Sequence, residues 1–372
     1  MSPKQMSPEE KQAEFGGVAD SVRGKNESAV PPAREPRPAG PTSFAAALNT
    51  ALADAMEADD AVLMFGEDVG KLGGVFRITD GLQERFGNKR CFDTPLAESG
   101  IAGMAIGMAM NGMRPVIEMQ FDAFAYPALE QILSHIAKMH NRTRGHVRLP
   151  LVIRVPHAGG VGGVEHHCDS SESLYAHTPG LKVFIPSGVE DAYLMLREAI
   201  DSDDPVVFFE PKKLYFGREE ADLESLKQEY EAKKAARRSG TARVLREGKD
   251  ATIVTYGASV STALKAAEAA VEEGFDLEVI DVRTIVPYDD ATVDASVRKT
   301  GRALVVAETP GFASIASELV ARIQERNFFS LASPVKRVTG FDIPFPSPML
   351  EKYQLPSVDR ILDAVDEMTW ED

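Results

Sequence analysis

Runs of consecutive apolar residues, separated by stretches of helical pattern, constrain the fold of this chain more than any other feature. In the first half the strand candidates are Ala61–Phe65, Arg114–Met119, Leu151–Val155, Lys182–Ile185 and Val206–Phe209, and the helical patterns lie near Glu98–Asn111, Tyr126–His140 and Val189–Ile200. Several runs are apolar throughout, not only at alternate positions, as in parallel sheets covered by helices on both faces. The sequence therefore predicts an α/β fold.

The same alternation resumes after residue 240, which indicates a second, smaller α/β domain. Its strand candidates are Ala251–Tyr256, Leu277–Val282, Ala303–Ala307 and Pro334–Val338, and its helix candidates end near Glu273 or cover Asp290–Arg298 and Ile315–Arg326. Between the domains, residues 217–240 are dense in charge and poor in large apolar side chains, a composition typical of a solvated connector. We predict domains over residues 42–216 and 241–372, joined by the charged linker 217–240.

Residues 1–41 are rich in proline and charge and hold almost no large apolar side chains. Such a stretch cannot bury enough surface to offset its ordering entropy, so we predict a disordered tail. Folding is expected to begin at Thr42 or Ser43, either of which can cap a helix that places Phe44, Leu48 and Leu52 on one face.

Charge and cysteine content exclude several classes of function. The chain has 41 Lys and Arg against 57 Asp and Glu, a net charge of -16, which disfavours nucleic acid and anionic lipid as partners. Its two cysteines, Cys91 and Cys168, cannot build a disulfide framework. There is no apolar run long enough to span a membrane and no secretory signal, and the acidic residues near the start argue against a transit peptide. We expect a cytoplasmic protein.

Glu98 is the candidate functional residue that the pattern singles out. It opens a helix of small residues, including Gly100, Gly103 and Gly107, after the segment Phe92–Ala97. A carboxylate at a helix start can simply compensate the helix dipole. The small residues would allow another helix to approach closely, so this helix is also a candidate subunit interface.

Two further patterns are ambiguous. His166, His167, Cys168 and Asp169 are contiguous and invite a metal site, but in an extended segment His167 would point away from His166 and Cys168. The glycines at 159, 160, 162 and 163 follow a strand, as phosphate loops do, yet they lack the order of a dinucleotide or P-loop motif. We expect instead a loop whose backbone lies close to a neighbouring group.

Taken together, the motifs resemble one known family over residues 42–370. The matching segments, in chain order, are Phe65–Gly70, Asp93–Glu98, Arg114–Phe121, Glu165–Ser170, His177–Val183, Asp204–Val207, Asp281–Pro287 and Val338–Asp342. This ordered set is similar to the beta subunit of thiamine-diphosphate-dependent 2-oxo acid dehydrogenases. The resemblance implies a transketolase-like pyrimidine-binding domain followed by a transketolase C-terminal domain.

The resemblance also implies an assembly of two alpha and two beta subunits with thiamine diphosphate bound between them. Enzymes of this kind hold Mg²⁺ and the diphosphate with a Gly-Asp-Gly motif, and that tripeptide does not occur in this chain. We therefore expect half of a cofactor site here, with Mg²⁺ held mainly by the alpha subunit. The second domain is expected to contact the alpha subunit and the binding domain of a lipoyl transacylase.

Residue roles carry over from the family position by position. Glu98 matches the glutamate that hydrogen-bonds the aminopyrimidine ring of the cofactor and takes part in its proton transfer. Phe124 matches the aromatic residue that packs on that ring, with an aromatic of the protein core as the alternative. His167 matches the histidine that positions the substrate or the lipoyl group. The family usually has serine after it, where this chain has Cys168.

Family members also bind a structural potassium ion, largely through backbone carbonyl groups. The matching positions in this chain are Leu151, Ala199, Ile200, Ser202 and Asp204. Ser202 stands where many relatives have a carboxylate.

The leading hypothesis is thus the beta subunit of a complex that oxidatively decarboxylates a 2-oxo acid and transfers the acyl group to lipoyllysine. The segments Glu165–His167 and Phe209–Lys212 look most like the branched-chain branch, which uses 2-oxoisovalerate. Pyruvate is the alternative substrate, and acetoin is a third. A non-catalytic assembly subunit is the hypothesis from another class, and the presence of Glu98 and His167 disfavours it.

Overall fold

The computed structural model of the chain describes residues 39–232 and 239–369. Most of the predicted disordered tail, residues 1–38, lies outside the described residues. Of the remainder of that predicted tail, Gly40 and Pro41 are part of a strand, contrary to the prediction. Ser43 caps the first helix by accepting a hydrogen bond from the Ala46 backbone N–H at 3.1 Å, as predicted.

A seven-stranded sheet forms the first half of the molecule. Its strands, in chain order, are β2 (Val62–Gly66), β3 (Cys91–Asp93), β4 (Arg114–Glu118), β5 (Val152–His157), β6 (Lys182–Phe184), β7 (Val206–Pro211) and β12 (Thr284–Val286), while β1 (Gly40–Ser43) lies outside it. The spatial order is β12-β6-β7-β5-β4-β2-β3, and every pair is parallel except β12 with β6. Because β12 comes from the second half of the chain, the two domains share this sheet.

A five-stranded sheet forms the second half. It consists of β9 (Arg243–Arg246), β10 (Ala251–Thr255), β11 (Leu277–Asp281), β13 (Ala303–Pro310) and β14 (Lys336–Gly340), in the spatial order β14-β13-β10-β11-β9. Only the edge strand β9 runs antiparallel to its neighbour. The central strands β10 and β11 are buried along their whole length, as in a parallel sheet covered on both faces, although β11 carries the charged Glu278 and Asp281.

Helices cover both faces of each sheet. In chain order they are α1 (Phe44–Ala58), α2 (Leu82–Phe86), α3 (Glu98–Met110), α4 (Met139–Arg142), α5 (Glu172–Ala176), α6 (Val189–Asp201), α7 (Leu223–Ala232), α8 (Ser259–Ala269), α9 (Asp290–Thr300), α10 (Ile315–Asn327), α11 (Glu351–Gln354) and α12 (Val358–Thr369). Alternate residues of the first sheet face α1 and α6 on one side and α3 on the other. Within the described residues, no helix combines the length and apolar character needed to cross a membrane.

The single helix predicted over Tyr126–His140 is instead three short pieces. A 3-10 helix covers Ala123–Ala128, a π-helix covers Gln131–Ile136, and α4 follows. Pro127 lies inside the first piece, where its missing N–H and its ring disfavour a regular α-helical bond pattern. This break matters because the first piece carries Phe124.

The segment 217–240 is more than a solvated connector. Residues Arg218–Ala221 form β8, which pairs antiparallel with β1, and α7 follows with Leu223 buried in the core under α1 and α6. Residues 233–238 lie outside the described ranges. Much of the predicted linker therefore belongs structurally to the first domain, because a few apolar residues among many charges still fix a helix to the core.

Arg154 crosses the centre of the first sheet as a fully buried charge. Its Nε and Nη1 atoms lie 2.7 Å from Glu210 Oε1 and 2.5 Å from Glu118 Oε2, so the guanidinium joins β5 to both neighbouring strands. Tyr215 also donates to Glu210, at 2.8 Å. Every charge in this cluster has a partner, as burial of ionised groups requires.

We predict that Arg154→Met lowers the free energy of unfolding by about 3–5 kcal/mol, because it leaves two carboxylates buried without their cation. Urea unfolding of the variant and of the unaltered chain gives the difference. Arg148→Met is the control, since the exposed pair of Arg148 with Asp203 should contribute less than about 1 kcal/mol. Equal effects of the two substitutions would contradict this account of the buried cluster.

Candidate functional site

The predicted site residues, the potassium set apart, lie near the carboxyl ends of the parallel strands β2, β4 and β5. At these carboxyl ends the chain leaves the sheet in loops, and α/β proteins commonly bind ligands there. The helix α3 packs against the 3-10 helix Ala123–Ala128, which in turn contacts the short turn Glu165–His167. We call the 3-10 helix the Phe124 turn and residues 157–171 the histidine loop.

Glu98 is the first residue of α3, as the sequence predicts. The preceding residue, Ala97, provides no side-chain cap, so the start of the helix is open on this side. The Glu98 side chain is partly exposed and forms no hydrogen bond or ion pair within the part of the chain that the structure describes. A carboxylate placed this way is free to bind a group from outside the chain.

Glu67 is a neighbouring carboxylate whose role the sequence did not reveal. It follows β2, is 4% exposed, and its Oε1 atom is buried with no hydrogen-bond partner among the described residues. Burial raises the pKa of Glu67 to about 7, and the charges of Glu98 and Asp68 add to the rise. A buried carboxyl whose pKa is raised by burial and by a neighbouring carboxylate is typical of proton-transfer sites. The only sequence signal was the acidic pair Glu67-Asp68 at a strand end.

Phe124 and His167 lie together, as the resemblance implies. Their ring centroids are 5.3 Å apart, and Phe121 contacts both rings at 5.3 Å and 4.7 Å. His166 also lies 5.3 Å from Phe124. The result is a partly exposed aromatic wall on the turn that packs against α3, with an imidazole at its edge.

The extended geometry assumed for the histidine loop is wrong. Glu165–His167 form a 3-10 turn, and the rings of His166 and His167 lie 4.6 Å apart on the same side. The alternation argument against a shared site therefore fails. Within the ranges 39–232 and 239–369, however, no group of three or more His, Cys, Asp or Glu side chains has metal-binding geometry.

Cys168 points into the protein and not toward the aromatic wall. It is buried, and burial raises the pKa of its thiol. A Cβ atom at Gly163 would lie 2.7 Å from the Cys168 sulfur and 3.1 Å from the His167 Cβ, so only glycine fits there. Replacement of the family's serine by Cys168 thus changes a packing contact below the imidazole.

The glycines of the histidine loop lie against the second domain. A Cβ at Gly159 would lie 2.6 Å from the Phe345 ring, and the Gly160 N–H donates to Glu351 Oε1 at 2.7 Å. The close backbone approach expected for this loop is therefore made to another part of the same chain. It joins the histidine loop to the second domain.

The residues predicted to bind potassium lie at the other end of these parallel strands, where the strands begin. The Ile200 and Ser202 carbonyl oxygens accept hydrogen bonds from Arg114 Nη1 at 3.0 and 3.1 Å. Lys182 Nζ lies 3.0 Å from Ser202 Oγ and 3.2 Å from Asp204 Oδ2. The remaining carbonyls, of Leu151 and Ala199, accept backbone N–H groups. These oxygens fit a potassium ion poorly, because the side-chain cations of Arg114 and Lys182 already bind four of them.

Sequence profiles place both halves of the chain in known domain families. Residues 41–217 match "Transketolase, pyrimidine binding domain" and residues 240–361 match "Transketolase, C-terminal domain". A solved structure titled "Split gene transketolase, inactive beta4 tetramer" superposes with a TM-score of 0.70, at 24% identity, over 88% of this chain and 98% of that one. The fold is thus that of the two-domain transketolase-like proteins.

Full-length relatives narrow this class. A "Pyruvate dehydrogenase E1 component subunit beta" of Leifsonia xyli is 51% identical over 320 residues, covering 86% of this chain and 92% of the relative. A "3-methyl-2-oxobutanoate dehydrogenase subunit beta" of Mycobacterium tuberculosis is 50% identical over 321 residues, covering 86% and 90%. This chain belongs to the family of 2-oxo acid dehydrogenase E1 beta subunits.

The raised pKa of Glu67 predicts a pH-dependent stability. The ordinary glutamate pKa of 4.5 applies to the unfolded chain, so the folded chain binds the extra proton between pH 4.5 and about 7 and loses stability as the pH rises through this window. Glu67→Gln removes that loss. We expect the melting temperature of the variant, relative to the unaltered chain, to rise from pH 4.5 to above 7 and then stay constant.

The exposed Glu84 in α2 provides the control for this experiment. The change in melting temperature that Glu84→Gln causes should be small and the same at every pH. A pH-independent offset for Glu67→Gln would mean that this carboxylate is not held protonated by its surroundings.

Proposed function

We propose that this chain is the beta half of an E1 component that oxidatively decarboxylates branched-chain 2-oxo acids and transfers the acyl group to lipoyllysine of a transacylase. The observation that carries the proposal is the Glu98 carboxylate, which has no partner among the described residues and lies near Glu67. Glu98 is the first residue of α3, the helix that packs on the Phe124 turn. This arrangement suits a flat, nitrogen-containing ring that must exchange a proton.

Thiamine diphosphate fits the residues at this edge. Its aminopyrimidine offers ring nitrogens to a carboxylate and a π-face to an aromatic side chain, and Glu98 and Phe124 supply these two groups. The buried, unpartnered Glu67 Oε1 is a second sign that a polar group from outside the chain belongs here. When bound, the cofactor supplies the carbon nucleophile and electron sink for decarboxylation.

The chain's own residues then have distinct tasks. Glu98 accepts and returns a proton at the ring nitrogen. The pKa of the neighbouring Glu67 is about 7, so this second carboxyl group can also hold a proton near neutral pH. Phe124 supports the ring. His167, at the edge of the aromatic wall, orients the 2-oxo acid or the incoming lipoyl group.

The site is incomplete without a partner chain. The sequence has no Gly-Asp-Gly anchor, so Mg²⁺ and the diphosphate would be held by an alpha subunit, in an assembly of two alpha and two beta subunits. The exposed surface supports such a partner: a Cβ at Gly103 or Gly107 of α3 would meet nothing within 4 Å, and Leu96 beside this face is 79% exposed. An apolar face this open is typical of an interface.

The second domain exposes several large apolar side chains. Phe312 is 84% exposed, Met349 86% and Phe329 99%. We propose that this domain contacts the alpha subunit and the transacylase's binding domain. The net charge of -16 favours a basic partner surface and an association that weakens in salt.

The choice of substrate rests on sequence similarity alone. Branched-chain and pyruvate enzymes are both represented among relatives of about equal identity. Glu210 and Lys212, part of a motif that favoured the branched-chain branch, are fully buried: Glu210 binds Arg154, and Lys212 donates to the Ala158 carbonyl. They therefore support the fold of the site and do not contact a substrate. The Glu165–His167 turn remains the motif that favours branched-chain acids.

The function is tested by mixing the chain with its alpha partner, thiamine diphosphate and Mg²⁺. We expect decarboxylation of 3-methyl-2-oxobutanoate with a higher kcat/KM than pyruvate, and no activity and only weak cofactor binding for the beta chain alone. A preference for pyruvate would overturn the branched-chain assignment. Tight, Mg²⁺-dependent binding to the beta chain alone, measured by calorimetry, would contradict the shared site.

Glu98→Gln should lower turnover of the assembled enzyme about a hundredfold or more, because the amide keeps the size of the side chain but cannot take up the proton. Thermal stability should change by only about half to one kcal/mol, the usual contribution of a helix-start charge. The direct measurement is proton exchange at the reactive carbon of the cofactor.

Glu318→Gln is the matched control, since Glu318 also lies in the first turn of a helix, α10, in the second domain. It should have the same small effect on stability and normal turnover. Unaltered exchange in the Glu98→Gln enzyme would rule out the catalytic role, and would favour the non-catalytic assembly subunit.

A further inference from the structure

The backbone of the histidine loop is held in an unfavourable conformation. Ala158 and Glu165 have φ values of 62° and 42°, in the left-handed region that residues with a side chain seldom occupy. Such conformations persist only where surrounding contacts enforce them, and they concentrate near functional sites. The loop that carries His167 must therefore be fixed from outside.

Asp122 fixes both ends of this loop. Its Oδ2 atom accepts hydrogen bonds from His157 Nδ1 at 3.1 Å and from the Ser171 backbone N–H at 3.0 Å, and its Oδ1 atom accepts one from Ser171 Oγ. His157 and Ser171 are the first and last residues of the loop. All three side chains are buried, and Asp122 is 0% exposed.

The same aspartate immediately precedes the Phe124 turn. Asp122 occupies the position where an aspartate usually caps the helix, yet its side chain makes no capping bond and binds the histidine loop instead. A second bond joins the same two segments, from Tyr126 Oη in the turn to Asp169 Oδ2 in the loop, at 2.6 Å. The turn and the loop are thus connected at two points on either side of the Phe124–His167 contact.

We propose that Asp122, with His157 as its hydrogen-bond donor, is a positioning residue that sets the placement of His167 against Phe124. The inference rests on the proposed function for the role of His167, and it goes beyond that function by assigning a task to two buried residues that touch neither substrate nor cofactor. A buried carboxylate with three hydrogen bonds is rigid, because each lost bond leaves a buried polar group unsatisfied.

The groups around His157 support this assignment. Its Nε2 atom lies 3.8 Å from Glu172 Oε2, and its Nδ1 must carry a proton to bind the Asp122 carboxylate. Lys212 donates to the carbonyl of Ala158, the next residue, which holds the strained start of the loop. The imidazole is therefore held by its hydrogen bond to Asp122, and it links the beginning of the loop to that carboxylate.

The first test measures the loop directly, in the full-length chain. Hydrogen exchange followed by mass spectrometry should show faster exchange over residues 157–171 in Asp122→Ala, and much less change in Asp122→Asn, which keeps an acceptor. The matched control is Asp54→Ala, because Asp54 is also a buried aspartate with two donors, Tyr193 and Lys227, but lies in α1 on the other face of the sheet. Unchanged exchange in the loop of Asp122→Ala would overturn the proposal.

The second test asks whether the positioning acts through His167 in the assembled enzyme. Asp122→Ala should lower kcat/KM by about tenfold to a hundredfold, as misplacement of a group in a site does, while Asp54→Ala should keep nearly normal kcat/KM. If Asp122 works through His167, the double variant Asp122→Ala/His167→Ala should be no slower than His167→Ala alone. Fully additive losses would overturn the positioning role, even if the loop exchanges faster.

These outcomes separate the two proposals. An assembled wild-type enzyme inactive on every 2-oxo acid would overturn the proposed function and the catalytic part of this inference. The exchange experiment would still decide whether Asp122 holds the histidine loop to the Phe124 turn.

Discussion

The guanidinium of Arg154, held between two buried carboxylates, is the interaction on which the site end of the first sheet depends. It joins β4, β5 and β7 at or within three residues of the end of each strand. The Phe124 turn follows β4, the histidine loop follows β5, and Lys212 follows β7. Three segments that build one site are thus anchored to a common charged centre beneath it. Because an uncompensated charge there is costly, the ends of these strands cannot shift independently.

The two ends of these parallel strands differ in their polar groups, and this difference explains why the candidate site lies at one end. Deeper in the sheet the strands pack mainly through apolar side chains around the Arg154 cluster, whereas at the carboxyl ends of the strands carboxylates, imidazoles and aromatic rings meet. At the other end the charges of Arg114 and Lys182 are satisfied by carbonyl and side-chain oxygens of the chain itself. At the carboxyl ends of the strands, some polar groups have no partner among the described residues. At the other end, an ion or ligand would have to displace Arg114 or Lys182 from these oxygens.

Much of the fold was predictable, because continuous apolar runs specify parallel strands locally. Glu98 at a helix start and Phe124 near His167 also followed from motifs. Other features depend on contacts that no local pattern records. The raised pKa of Glu67 arises from burial and from Glu98, thirty-one positions along the chain. The role of Asp122 depends on His157 and Ser171, and the 3-10 turn at Glu165–His167 depends on how its loop lies against the second domain. The packing of α7 against the core of the first domain was not predicted, because its few apolar residues stand among many charges.

The strand β12 has a further consequence for how this protein can be divided. It belongs to the second half of the chain but completes the edge of the first sheet beside β6, where Thr284 pairs with Phe184 and Val286 with Val183. A chain cut at the connector would leave β6 with a row of unpaired backbone groups, which is a template for pairing with other molecules. The first half made alone should therefore be prone to aggregate. During synthesis, too, this sheet stays incomplete until residue 286 has left the ribosome, by which time β9, β10 and β11 of the second sheet have also emerged.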